Sequence, residues 1–159
     1  MIYQIDQSGK IEETGQETVL AISGKDITYS LIISSKTKRQ MQQHFRNIGQ
    51  PNLFIYKTFT AALFILLNTF NIRITRVEID KEYPGQEKLI ETMLLKLFKI
   101  FEIGSRIQFS FSSVGKSSLA HGTAHQVFSK KLKEDRRISF EELKKIASYL
   151  SDGLITAGR

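Results

Sequence analysis

Cysteine is absent from all 159 residues, which removes disulfides, thiolate zinc sites and cysteine nucleophiles from consideration. That composition suits an intracellular, cytoplasmic protein. Proline is scarce, occurring only as Pro51 and Pro84, and both fall where the chain is expected to break. A signal peptide is not expected either, since Asp6 and Lys10 interrupt the opening run Met1-Ile2-Tyr3-Gln4-Ile5 too early. No internal repeat and no low-complexity tract is present. Acid is outnumbered as well: 23 Lys plus Arg face 16 Asp plus Glu, a formal net charge of +7 with a pI near 9.6. A polyanion such as nucleic acid is the natural partner of that charge.

A hydrophobic content of 41% with 25% charged residues fits one globular domain over residues 1–159. One apolar run needs separate treatment. Leu53 to Ile72 spans 20 residues with Lys57 as its one charge, the length of a membrane crossing. Thr58, Thr60, Asn68, Thr69 and Asn71 make it wetter than such a span. The expectation is a buried core helix packed against a sheet, with no membrane involved.

Turn residues and periodicity divide the rest. Strands are expected at Ile2 to Ile5, Thr18 to Ser23 and Ile27 to Ser34, joined by the turns Gln7-Ser8-Gly9 and Gly24-Lys25-Asp26 into an antiparallel meander. A polar helix over Lys36 to Arg46 and the break Gly49-Gln50-Pro51-Asn52 precede the apolar helix, which runs to about Phe70. A fourth strand follows at Ile72 to Ile79, then a helix from Gln86 to Glu102 with the stripe Leu89, Ile90, Met93, Leu94, Leu97, Phe98 and Phe101. Arg106 to Phe111 reads as strand five, Ser112 to Ser118 as a loop, and Leu119 to Leu132 as a helix. Ser139-Phe140-Glu141-Glu142 reads as a capping box that opens a last helix within a C-terminal helical extension, residues 132–159. From Ser151 onward the chain is expected to fray.

This order of elements resembles the ribonuclease H-like superfamily over the chain to about Leu132. Ile5-Asp6-Gln7-Ser8-Gly9 resembles the family's first-strand Asp with its Gly-containing turn. Ile79-Asp80-Lys81-Glu82-Tyr83 resembles its fourth-strand Asp, and Thr60-Ala61-Ala62-Leu63 the core of its first helix. The resemblance implies an α/β fold with a five-stranded mixed sheet, three antiparallel strands then two parallel, flanked by helices. It also implies a metal-dependent nuclease that hydrolyses phosphodiesters of RNA, DNA or a hybrid with one or two Mg2+ or Mn2+ ions. Asp6 and Asp80 would bridge the ions, and His121 and His125 would occupy the place of the family's last ligand. The chain departs from the family on the first long helix, where a Glu usually precedes the Ala-Ala pair and Lys57, Thr58 and Phe59 stand instead.

The residues themselves offer substitutes. Glu78 shares a strand face with Asp80 by the period of two, and Glu82 or Glu87 could enter from the following loop. The residue set expected at the metal is Asp6, Asp80, Glu78 and His121. His121 and His125, four apart on a helix, lie on one face. Ser113-Val114-Gly115-Lys116-Ser117 lies between a strand and a helix, but Ser110 stands where a phosphate-binding loop needs its first Gly. Lys116 and Ser117 can instead meet a nucleic-acid phosphate at a helix start. Basic residues cluster at Lys36, Lys38, Arg39 and Arg46, and again at Lys130, Lys131, Lys133, Arg136 and Arg137. The second cluster follows the histidines and is expected to clamp a phosphate backbone, Lys130, Lys131 and Lys133 foremost. The alternative function is a catalytically inactive binding or assembly module on the same fold.

Overall fold

The computed structural model describes residues 1–104 and 106–150. Six strands form one mixed sheet: β1 Tyr3–Ser8, β2 Thr18–Ser23, β3 Thr28–Ile33, β4 Arg76–Asp80, β5 Gln108–Ser112 and β6 Arg136–Arg137, in the spatial order β5-β4-β1-β2-β3-β6. β2 runs antiparallel to both β1 and β3, while β4 pairs with β1, β5 with β4 and β6 with β3 in parallel. Among the described residues five α-helices, α1 Ser35–Asn47, α2 Phe54–Thr69, α3 Glu87–Ile100, α4 Leu119–Phe128 and α5 Phe140–Ser148, and a 3-10 turn at Pro51–Leu53 complete the fold.

The sixth strand corrects the expected count of five. β6 has only two residues, too few to show alternation, and lies in a stretch that reads as basic surface. Backbone bonds from Asp135 to Ser30 and from Ile138 to Ile32 hold it along β3. The segment after residue 132 is therefore woven into the sheet rather than being a purely helical extension.

Each face of the sheet is covered differently. Ile5, Leu20, Ile22, Leu31, Ile33, Val77 and Ile79 point into the main core, which contains residues of α1, α2, α3 and α5. Helix α2 lies inside that core, with every residue from Lys57 to Leu67 buried. Pro51–Thr69 is long and apolar enough to cross a membrane, yet 67% of its most apolar window is buried within the fold, as expected of a core helix. On the opposite face Val19, Ala21 and Ile32 meet Ala124 and Val127 of α4 in a smaller core. Helix α4 packs over β1, β2 and β3. Arg76, Glu78, Gln108 and Ser110 of β4 and β5 stay at least partly exposed on this side.

Several boundaries shift for local reasons. Strand β1 runs on through Gln7 and Ser8, and the turn falls at Gly9, whose φ of +78° suits glycine. A Cβ at Gly9 would lie 2.2 Å from the Glu17 carbonyl oxygen. β4 starts at Arg76 rather than Ile72, because turns bonded from Phe70 to Leu67 and from Arg73 to Phe70 finish α2 first. Ile72 is left 86% exposed. Helix α4 stops at Phe128, four residues early, where Lys130 adopts φ +68°. Half of the expected capping box forms: Ser139 Oγ accepts from Glu142 N at 3.1 Å, but the Glu142 carboxylate pairs with Arg136. Fraying from Ser151 onward lies outside the described residues.

Candidate metal centre

Alternation along β1 sends Ile5 into the main core and Asp6 to the side of α4, opposite Ala21 of β2. The parallel register pairs Ile5 with Ile79, so one further step places Asp6 beside Asp80 at the C-terminal rim of both strands. Glu82 reaches the same spot from the turn after β4. Ligand oxygens of Asp6, Asp80 and Glu82 all lie within 4.8 Å of one another.

Each carboxylate has its own support. Asp6 Oδ1 accepts the Gln7 N–H at 2.9 Å, and Asp6 Oδ2 lies 2.6 Å from His121 Nδ1. Asp80 Oδ1 accepts the Val114 N–H at 2.8 Å, which ties down the loop leading into α4. Ser118 caps that helix by accepting from His121 N at 3.0 Å, so it also fixes the start of the histidine turn. Glu82 borders a crevice too tight for water, lined by Phe59, Tyr83, Ile90 and Phe111. Burial there, then hydrogen bonding and repulsion from Asp80 and afterwards Asp6, push its carboxyl up to about 9.

The donor set is all oxygen, anionic and convergent, which fits a hard divalent cation such as Mg2+ or Mn2+. A proton held on Glu82 is the alternative way to relieve the crowding of charge. Asp6, Asp80 and Glu82 are the residues that would hold the cation.

The structure sorts the residues singled out from sequence. Asp6 and Asp80 come together, while His121, expected as a further ligand, touches Asp6 through Nδ1 and is outside the cluster of Asp6, Asp80 and Glu82. Glu78 does share the face of Asp80, but it lies two residues back along β4, about 7 Å away, beside Gln4 and Ser110, and accepts from Ser112 Oγ at 3.3 Å. It is outside the acidic cluster, and Glu82 is inside. Glu87 donates no ligand and accepts from Gly85 N at 3.0 Å. His125 is exposed one turn beyond His121, their rings parallel within 3° and 6.4 Å apart. Phe59 of α2, near the position where an acid was missing, takes part in desolvating Glu82.

The basic residues divide too. Lys116 and Ser117 are exposed in the loop before α4. Lys130 pairs with Glu17, Arg136 with Glu142, and Arg137 with Glu134 and Glu17. Lys131 and Lys133 are exposed and form no ion pair among the described residues, Lys133 lying in the field of Glu134. Lys38 is buried, its ammonium bonded to the carbonyls of Lys10 and Glu13 and to Thr18 Oγ1. It is a structural anchor of the β1–β2 loop rather than a phosphate contact.

On the open half of the sheet, Ile2, Arg76, Glu78, Gln108 and Ser110 line a shallow groove of about 220 Å³. The groove covers Arg76 to Glu78 of β4 and Gln108 to Ser110 of β5. No protein-family model, no curated protein and no solved structure matches this chain.

Proposed function

We propose that this chain is a cytoplasmic, metal-dependent phosphodiesterase of ribonuclease H-like type that acts on nucleic acid. The observation that carries the reading is the convergence of Asp6, Asp80 and Glu82 at one rim of the sheet, within 4.8 Å. The strand order β5-β4-β1-β2-β3, a meander followed by two parallel strands, supports the family assignment. Glu82 supplies from a loop the third acid that α2 lacks. When bound, Mg2+ or Mn2+ would offer Lewis-acid charge and a more acidic coordinated water.

The chain's own groups have definite tasks in this reading. An ionised Asp6 only accepts hydrogen bonds, so His121 presents Nδ1–H to it and leaves Nε2 as a proton acceptor. That nitrogen can take a proton from an attacking water or return one to the leaving oxygen. The uncovered groove on β4 and β5 gives a strand access to the acids. Exposed Lys116, Lys131 and Lys133 offer positive charge to its phosphates.

The test is cleavage of labelled single-stranded, duplex and hybrid oligonucleotides. Cutting is expected in Mn2+ and not in EDTA. Asp6→Asn and Asp80→Asn should each lower the rate by more than about a hundredfold while oligonucleotide binding persists. Binding without cleavage of any substrate would replace the enzyme by a catalytically inactive nucleic-acid-binding module, a reading that the acid-free N-terminal turns of α2 favour.

A further inference from the structure

Tyr83 directly follows Glu82, and Gln7 directly follows Asp6. Both residues are 7% exposed. Gln7 Nε2 donates to the Tyr83 hydroxyl at 3.0 Å, and the Ile11 N–H donates to the same oxygen at 3.2 Å. One phenol oxygen therefore joins the loop after β4, the end of β1 and the β1–β2 loop. The ring is held from the other side, edge-on to Tyr56 and Phe59 with centroids 5.9 and 5.1 Å away. Burial raises the hydroxyl well above the usual phenol range, so it stays neutral in ordinary buffers.

Gln7 adds a further clue. Its Oε1 is buried with no hydrogen-bond partner among the described residues, a cost that folded chains generally avoid. The amide is thus explained by its donor, which serves Tyr83, and not by its acceptor.

We propose that Tyr83 is a positioning residue: its hydroxyl, through Gln7 and Ile11, ties the turn bearing Glu82 to the strand end bearing Asp6 and sets the spacing of the oxygens offered to a divalent cation. The inference rests on reading the acidic cluster as a metal site. Cation–oxygen distances near 2.1 Å leave little tolerance for a drifting ligand, and a turn without regular pairing needs such a tie more than a strand does.

Titration calorimetry of the full chain with MnCl2, together with melting in EDTA, tests it. Tyr83→Phe should weaken Mn2+ binding by about tenfold or more, the usual consequence of removing a group that orients a ligand. Gln7→Met should weaken it by about threefold or more, while its melting temperature in EDTA equals or exceeds that of the wild type, because the unpaired Oε1 is gone. A merely structural role cannot give that second pattern. If Tyr83→Phe does not fold, Gln7→Met decides alone. Wild-type affinity in Gln7→Met, within about twofold, overturns the inference and leaves the metal site standing. A wild-type chain that binds no Mn2+ overturns the metal site and the inference together.

Discussion

The Glu82 carboxyl lies beside Phe59, Ile90 and Phe111 and faces two other acids, so its ionised form is disfavoured in the fold. With a folded value of about 9 against an ordinary 4.5, the native state binds more protons than the unfolded chain between those limits. Stability in EDTA should therefore be fullest below pH 4.5 and decline as pH rises toward 9. Glu82→Gln should flatten that decline and melt above the wild type at pH 8, a comparison that circular dichroism makes directly. Equal slopes for the two proteins would place the proton elsewhere. Added Mn2+ should raise the wild-type melting temperature at pH 8 and leave that of Glu82→Gln nearly unchanged. Asp6 and Asp80 were readable from the sequence because a strand end fixes which way a side chain points. Glu82 was readable only as one of two loop candidates beside Glu87, since it lies past the last paired residue, where no period of two holds. Glu78 obeyed the period and still missed the cluster, because sharing a face does not mean sharing a row.

Between β1 and β2, residues 9–17 form the longest connection without helix or strand among the described residues, and one side chain gathers it in. Lys38 on α1 donates to Lys10 O at 3.0 Å, Glu13 O at 2.7 Å and Thr18 Oγ1 at 2.9 Å, three acceptors for three protons. Burial lowers its ammonium to about 8, opposed by Glu13 and Glu12. Lys38→Met keeps the volume but strands two carbonyls, so it should cost about 2 to 3 kcal/mol, read as a lower urea midpoint. A change below about 0.5 kcal/mol would mean that water replaces the ammonium. Charge patterning placed Lys38 with surface cations, because the sequence shows a Lys among polar neighbours and not the carbonyls folded over it. The meander itself was readable, since glycine turns bracket strands with strong β-branched content. The end of α4 was not, because a left-handed Lys130 carries no residue-type signal of the kind glycine gives.

At the scale of the whole molecule, topology was more readable than surface charge. The order of strands and helices left few ways to close a sheet with right-handed parallel crossovers, whereas β6 depends on two residues meeting a strand about a hundred positions earlier in the chain. Charge was harder to apportion, because the excess of +7 does not show which cations already have partners. Within residues 130–137, Lys130, Arg136 and Arg137 are taken up by Glu17, Glu142 and Glu134, which leaves Lys131 and Lys133 as the cations of that segment with no ion pair among the described residues. Replacing both by Gln should flatten the slope of log affinity against log salt by about 1.4 to 1.8, at 0.7 to 0.9 for each lost contact. Lys130→Gln should change that slope by less than about half a unit, since its charge is already answered within the fold. Fluorescence anisotropy with a labelled oligonucleotide at several salt concentrations measures both. An unchanged slope in the double variant would remove this segment from the binding face, and an equal loss in Lys130→Gln would mean that its pairing with Glu17 opens when nucleic acid arrives.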